Sequence, residues 1–164
     1  MKTDTKKTVP EVAFLIPCFN EEKTIAKVIN DFRHELPEAE IIVFDNNSTD
    51  ATSELAVAHG AIVMKEKRQG KGFVINSMFK EVVADIYVMV DGDDTYPANR
   101  VHDLIAPVAS EEFDMVVGQR LTSHTQKAFP PLHYFGNRLV CWLINRTFST
   151  RLKSDSFGYP LGRA

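Results

Sequence analysis

Val12-Ala13-Phe14-Leu15-Ile16-Pro17-Cys18-Phe19-Asn20-Glu21-Glu22 opens as an apolar run, meets a proline and turns at once polar and acidic. Five consecutive apolar residues, Val12 to Ile16, suit a strand covered on both faces of a sheet. Pro17 ends that strand, and Asn20 is expected to cap a helix whose first turn carries Glu21 and Glu22. Ile25, Val28, Ile29 and Phe32 then recur at i, i+3, i+4 and i+7, the apolar face of a helix. A strand feeding straight into an amphipathic helix is the unit from which parallel sheets are built.

The unit repeats along the chain. Glu40 to Phe44 reads as a second strand ending at Asp45, followed by a short helix opened by Asp50 and closed by Gly60. Ala61 to Met64 is a third strand. A loop holding Arg68-Gln69-Gly70-Lys71-Gly72 leads into a helix with Val74, Met78 and Val82 on one face. Asp85 to Val90 is the fourth strand, with Asp91-Gly92-Asp93-Asp94-Thr95 at its carboxyl end. Beyond Pro97, residues Val101, Leu104, Ile105 and Val108 mark another helix, and Phe113 to Val117 a fifth strand. Residues 118–131 read as loop, and His133 to Phe148 as a helix carrying Leu139, Trp142 and Leu143. The expected class is α/β, a Rossmann-type, mostly parallel sheet flanked by helices.

The composition agrees. The chain has 164 residues, 44% of them hydrophobic and 25% charged, which excludes a disordered, collagenous or coiled-coil protein. A single domain of this size buries roughly 70% of its unfolded surface. Its longest apolar run, Leu139 to Ile144, falls far short of the roughly 20 residues of a membrane span. The polar start, Met1 to Lys7, is not a signal peptide, and Cys18 and Cys141 make no disulfide framework, so a cytoplasmic protein is expected. The net charge of −3 hides an asymmetry: residues 1–114 sum to −9 and residues 115–164 to +6. Between Met115 and Ser154 there is no carboxylate, while Arg120, Lys127, Arg138, Arg146, Arg151 and Lys153 alternate with aromatic residues. That pattern is either a solvated basic face or a surface for phosphate, anionic lipid or nucleic acid.

In an open parallel sheet, ligands sit beyond the carboxyl ends of the strands, where strand order reverses. The polar clusters fall at such ends: Asn20-Glu21, Asp45-Asn46-Asn47 and Asp91-Gly92-Asp93-Asp94. Three carboxylates within four residues repel by up to ~4 kcal/mol for each close pair at an effective dielectric near 20. A divalent cation with hard oxygen ligands, Mg²⁺ or Mn²⁺, would convert that repulsion into coordination, with Gly92 permitting the tight backbone that aims Asp91 and Asp93 at one ion. Gly70-Lys71-Gly72 offers backbone amides and an ammonium to a phosphate ahead of a helix. Cys18 has no partner for nucleophilic catalysis, and the five histidines show no ligand spacing.

In order and spacing, Leu15-Ile16-Pro17-Cys18-Phe19-Asn20-Glu21-Glu22, Asp45-Asn46-Asn47-Ser48-Thr49-Asp50, Gly70-Lys71-Gly72 and Asp91-Gly92-Asp93 resemble the family 2 glycosyltransferases of GT-A fold. The closest likeness is to dolichyl-phosphate mannose synthases and bacterial polyprenyl-phosphate glycosyltransferases, over about residues 10–150. The resemblance implies a nucleotide-sugar donor, GDP- or UDP-linked, whose base and ribose pocket is lined by Pro17, Phe19, Glu21 and Asp45, with Asn47 beside it. It implies that Lys71 faces the nucleotide and that Asp91 and Asp93 hold Mg²⁺ or Mn²⁺ on the diphosphate. Gly118-Gln119-Arg120 is similar to the family's Gly-x-Arg, so the catalytic roles fall to Asp93 and to Arg120, near the acceptor phosphate. The implied organisation is a flexible start over residues 1–10, a nucleotide-sugar-binding half over 11–120, and an incomplete acceptor and membrane-surface half over 121–164. The acceptor implied is a lipid phosphate at the cytoplasmic membrane face, with no nucleic acid and a homodimer left open.

Two features depart from the family. Thr95 stands where many mannose synthases carry Gln. The tail Ser154-Asp155-Ser156-Phe157-Gly158-Tyr159 has the letters of the family's Ser-Gly-[Phe/Tyr]-Arg motif out of register, as either a truncated chain or a frameshifted end would. Two other readings compete: a nucleotide-sugar-binding fragment without activity, and a haloacid dehalogenase-like phosphatase. In the second, Asp91-Gly92-Asp93-Asp94-Thr95 would serve as D-x-D-x-T, a motif that normally follows a first strand.

Overall fold

A computed structural model describes residues 12–118 and 160–163. Its elements are β1 (Val12–Cys18), α1 (Ile25–Glu35), β2 (Glu40–Asp45), α2 (Thr52–Ala58) and β3 (Ile62–Lys65). They continue with α3 (Lys71–Glu81), β4 (Ile86–Met89), a 3₁₀ turn at Ala98–Arg100, α4 (Val101–Ala109), β5 (Met115–Val117) and β6 (Pro160–Arg163). The strands form one sheet in the order β3-β2-β1-β4-β6-β5. β1 pairs in parallel with both β2 and β4, with Cys18 opposite Asp45 and Leu15 opposite Met89. By its contacts the chain divides into one unit of residues 1–116 with 160–164 and another of 117–159; the site described below belongs to the first.

The apolar run of β1 is central because both of its faces are covered, and Ala13 to Ile16 are wholly buried. Successive side chains of a strand point to opposite faces. Ala13 and Leu15 therefore join Ile42, Phe44 and Met89 in a core closed by Val74, Met78 and Val82. On the other face Phe14 meets Phe32 of α1, ring centroids 4.9 Å apart. The α1 residues Ile25, Val28, Ile29 and Phe32 are the buried ones, as their spacing predicts.

Two expectations need correction. Asn20 does not cap α1. Its φ is +58°, its backbone N–H donates to Ser48 Oγ at 2.9 Å, and its Oδ1 accepts from the Thr49 N–H at 2.9 Å. It ties the loop after β1 to the loop after β2, and α1 starts only at Ile25, with Glu21 and Glu22 ahead of its first turn. Asp50 likewise precedes α2 and accepts from the Thr52 N–H at 3.1 Å. A strand that the sequence does not predict, β6, lies antiparallel to β4 with Val88 opposite Leu161. The expected loop over 118–131 and helix over 133–148 lie, but for Gly118, outside the described residues.

Candidate active site

β1 has β2 on one side and β4 on the other, so strand order reverses at β1 and a crevice opens beyond the carboxyl ends of these strands. A cleft of about 370 Å³ lies there. The end of β1 contributes Pro17, Cys18 and Phe19, and the following turn contributes Glu21. The start of α3 supplies Gly70 and Lys71, while Asp91, Gly92 and Asp93 follow β4. Six sequence-predicted residues, Pro17, Phe19, Glu21, Lys71, Asp91 and Asp93, thus line one cavity although they come from three separate segments.

Lys71 is the first residue of α3, and its ammonium lies 2.6 Å from Asp91 Oδ1. The Tyr96 hydroxyl is 3.4 Å from Asp91 Oδ2. Asp93 Oδ1 accepts from the Thr95 N–H at 3.1 Å and hydroxyl at 2.6 Å. Lys27 bridges Asp94 and Asp31, 2.7 Å from each. The crowded carboxylates therefore have two lysines as counter-ions, and crowding alone does not demand a metal. Among the described residues no group of three or more His, Cys, Asp or Glu side chains is arranged around a metal position. The Asp91 and Asp93 donor set still suits Mg²⁺ or Mn²⁺, because Mg²⁺ is usually held by one or two carboxylates plus substrate phosphates.

Gly92 is a glycine because of what it touches. A Cβ there would stand 2.7 Å from Cys18 Sγ and 3.4 Å from Glu21 Cγ. Its carbonyl accepts from the Thr24 hydroxyl at 2.7 Å, joining the acidic loop to the turn before α1. Burial pushes the Cys18 thiol far above its ordinary range, and Glu21, Asp45 and Asp91 add to the effect, so it stays protonated and inert. Burial also raises the Glu21 carboxyl against a contact from Thr24, with Asp93, Asp50 and Asp91 pushing the same way.

Asp45 and Asn47 are not among the residues that line this cleft. Asp45 is 1% exposed. Burial disfavours its charge, but the Ser48 N–H at 2.8 Å and the Ser53 hydroxyl at 2.7 Å outweigh that and lower its pKa. Asn47, with φ +67°, donates to Lys67 O at 3.0 Å and Gln69 Oε1 at 3.2 Å. Its neighbour Asn46 does line the cleft, as does Gln69. Neither is singled out by sequence, since Asn after a strand is also the ordinary signal of a turn. Arg120 lies outside the described residues.

The chain matches the model for glycosyl transferase family 2 over residues 13–160. It belongs to that family. It is 49% identical over 122 residues to protein RfbJ of Shigella flexneri, covering 74% of this chain and 95% of that one. It is 30% identical over 148 residues to a dolichyl-phosphate hexose transferase of Haloferax volcanii, covering 87% of this chain and 64% of that one. Among solved structures it resembles glucosyl-3-phosphoglycerate synthase from Mycobacterium tuberculosis in complex with Mn²⁺, UDP-glucose and phosphoglyceric acid, with a TM-score of 0.72 and 23% identity. That alignment covers 94% of this chain and 56% of the other, and shows a shared GT-A-like fold. The family 2 chain thus spans little more than half of its structural neighbour. The phosphatase reading falls away, since Asp91 follows the fourth strand rather than the first.

Proposed function

We propose that the protein transfers a sugar from a UDP- or GDP-linked donor to a polyprenyl or dolichyl phosphate, with inversion at the anomeric carbon. The observation that carries this reading is the gathering of Lys71, Asp91 and Asp93 around one cleft at the strand-order reversal. Pro17 and Phe19 form the apolar wall, and the Phe19 ring, 49% exposed, offers a face to a nucleotide base. Lys71 meets the diphosphate at the start of α3, where helix amides favour an anion. Asp91 and Asp93 would hold Mg²⁺ or Mn²⁺, which when bound would neutralise the charge that builds on the leaving nucleoside diphosphate. Asp45, whose carboxylate accepts from the Ser48 N–H and the Ser53 hydroxyl, shapes the turn that carries Asn46.

An acceptor phosphate oxygen is already anionic and attacks the anomeric carbon from the face opposite the diphosphate without a strong general base. The bond to the diphosphate breaks as the new one forms. The name of the archaeal relative supports a lipid phosphate, as do the basic and aromatic residues of 115–164, Arg120 among them. Among the described residues no helix is long and apolar enough to cross a membrane; in this proposal the acceptor phosphate is met at the membrane surface. The test is transfer from radiolabelled UDP- and GDP-sugars with Mn²⁺ to polyprenyl phosphate and to the matching polyprenol. Label in the phosphate lipid alone is expected; label in the alcohol alone would overturn the acceptor assignment.

A further inference from the structure

Asn46 sits just past β2, where its backbone N–H donates to Cys18 O at 2.9 Å, and it is 5% exposed. Its side chain turns away from both strands and onto the loop ahead of α3. The amide Nδ2 donates to Glu66 O at 2.9 Å and to Arg68 O at 2.8 Å, and Oδ1 accepts from the Gly70 N–H at 2.7 Å. Two carbonyls and one N–H around a primary amide allow one orientation of that amide, with NH₂ toward the carbonyls. Both donors and one acceptor position are thereby spent on three backbone groups of a single loop.

That loop delivers Lys71. Gly70, directly before it, has φ +132°, a conformation side-chain-bearing residues rarely adopt, so its shape must be held by neighbours. Glu66 holds the other side: its carboxylate accepts from the Arg68 N–H at 2.8 Å and guanidinium at 2.7 Å, and from the Ser77 hydroxyl of α3. Arg68 in turn lies over the Phe73 ring, 4.8 Å from its centroid. The loop is gripped by Glu66 toward the helix and by Asn46 toward the cleft.

We infer that Asn46 is a positioning residue that acts through Lys71, fixing the loop 66–70 so that the ammonium is presented to the diphosphate of the donor. The inference rests on the donor-site reading above. It explains why an amide stands there: an aspartate carboxylate accepts only and would face the Glu66 and Arg68 carbonyls with no proton to give. Alanine would leave all three backbone groups without that partner.

The experiment is a double-mutant cycle in the full chain, combining Asn46→Asp, and separately Asn46→Ala, with Lys71→Ala. Calorimetric titration of UDP and GDP in Mn²⁺ gives affinities, and hydrogen exchange reports the Gly70 amide. Circular dichroism identifies variants that fold, and Asn46→Ala serves if Asn46→Asp does not. The expected result is about tenfold or greater loss of affinity in the Lys71 background. The loss should fall below about twofold in the Lys71→Ala background, with faster Gly70 exchange in both. Equal losses in the two backgrounds, or unchanged Gly70 protection, would overturn the positioning role alone. A folded parent chain that binds neither nucleotide would overturn the donor-site reading and the positioning role with it.

Discussion

At Gly92 the chain has no space for one carbon: a Cβ would meet Cys18 Sγ at 2.7 Å. Overpacking of this kind costs about 1–3 kcal/mol, so Gly92→Ala should lower the stability read from denaturant melts by that order. Cys18→Ala should recover a large part of the loss, because the obstructing sulfur is then gone; additive losses would refute the contact. Asp45 gives a prediction in pH. Its folded pKa is depressed, so its carboxylate stabilises fully above the ordinary value of about 3.9 and loses that contribution as pH falls through the folded value. Asp45→Asn should therefore be less stable than the parent at pH 7, with the gap closing below about pH 3.9 in melts taken down the pH range.

Among the elements, those whose pattern reflects burial are the legible ones. The α1 face at Ile25, Val28, Ile29 and Phe32 and the run of β1 follow from apolar periodicity, because nothing but the core explains them. Asn20 was misleading because a polar residue after a strand can cap a helix or bond a neighbouring loop, and its partners Ser48 and Thr49 are distant in sequence. The role of Asn46 and the close approach of Gly92 to Cys18 were hidden for the same reason: each depends on contacts with segments far away along the chain. β6 was illegible because Pro160-Leu161-Gly162-Arg163 has neither alternation nor β-branched residues, and its place beside β4 is decided by tertiary pairing. Deleting residues 160–164 should therefore leave the β4 edge unpaired from Ile86 to Val88. A lower melting temperature and concentration-dependent aggregation in light scattering are expected. An unchanged melting temperature would deny β6 its part in the sheet.

On the scale of the whole molecule, the sheet's reversal at β1 brings the proposed donor-binding residues to one cleft, while the basic excess lies in residues 115–164. The donor-site proposal rests on this cleft alone. Its central claim is that the cleft binds a nucleoside diphosphate with a divalent metal. The most direct test is calorimetric titration of UDP- and GDP-sugars into the folded chain, with and without Mn²⁺, alongside Asp91→Asn. The account predicts that one nucleotide binds only with Mn²⁺ and that Asp91→Asn abolishes this binding. No binding by the folded parent, or binding by Asp91→Asn as tight as the parent's, would contradict it.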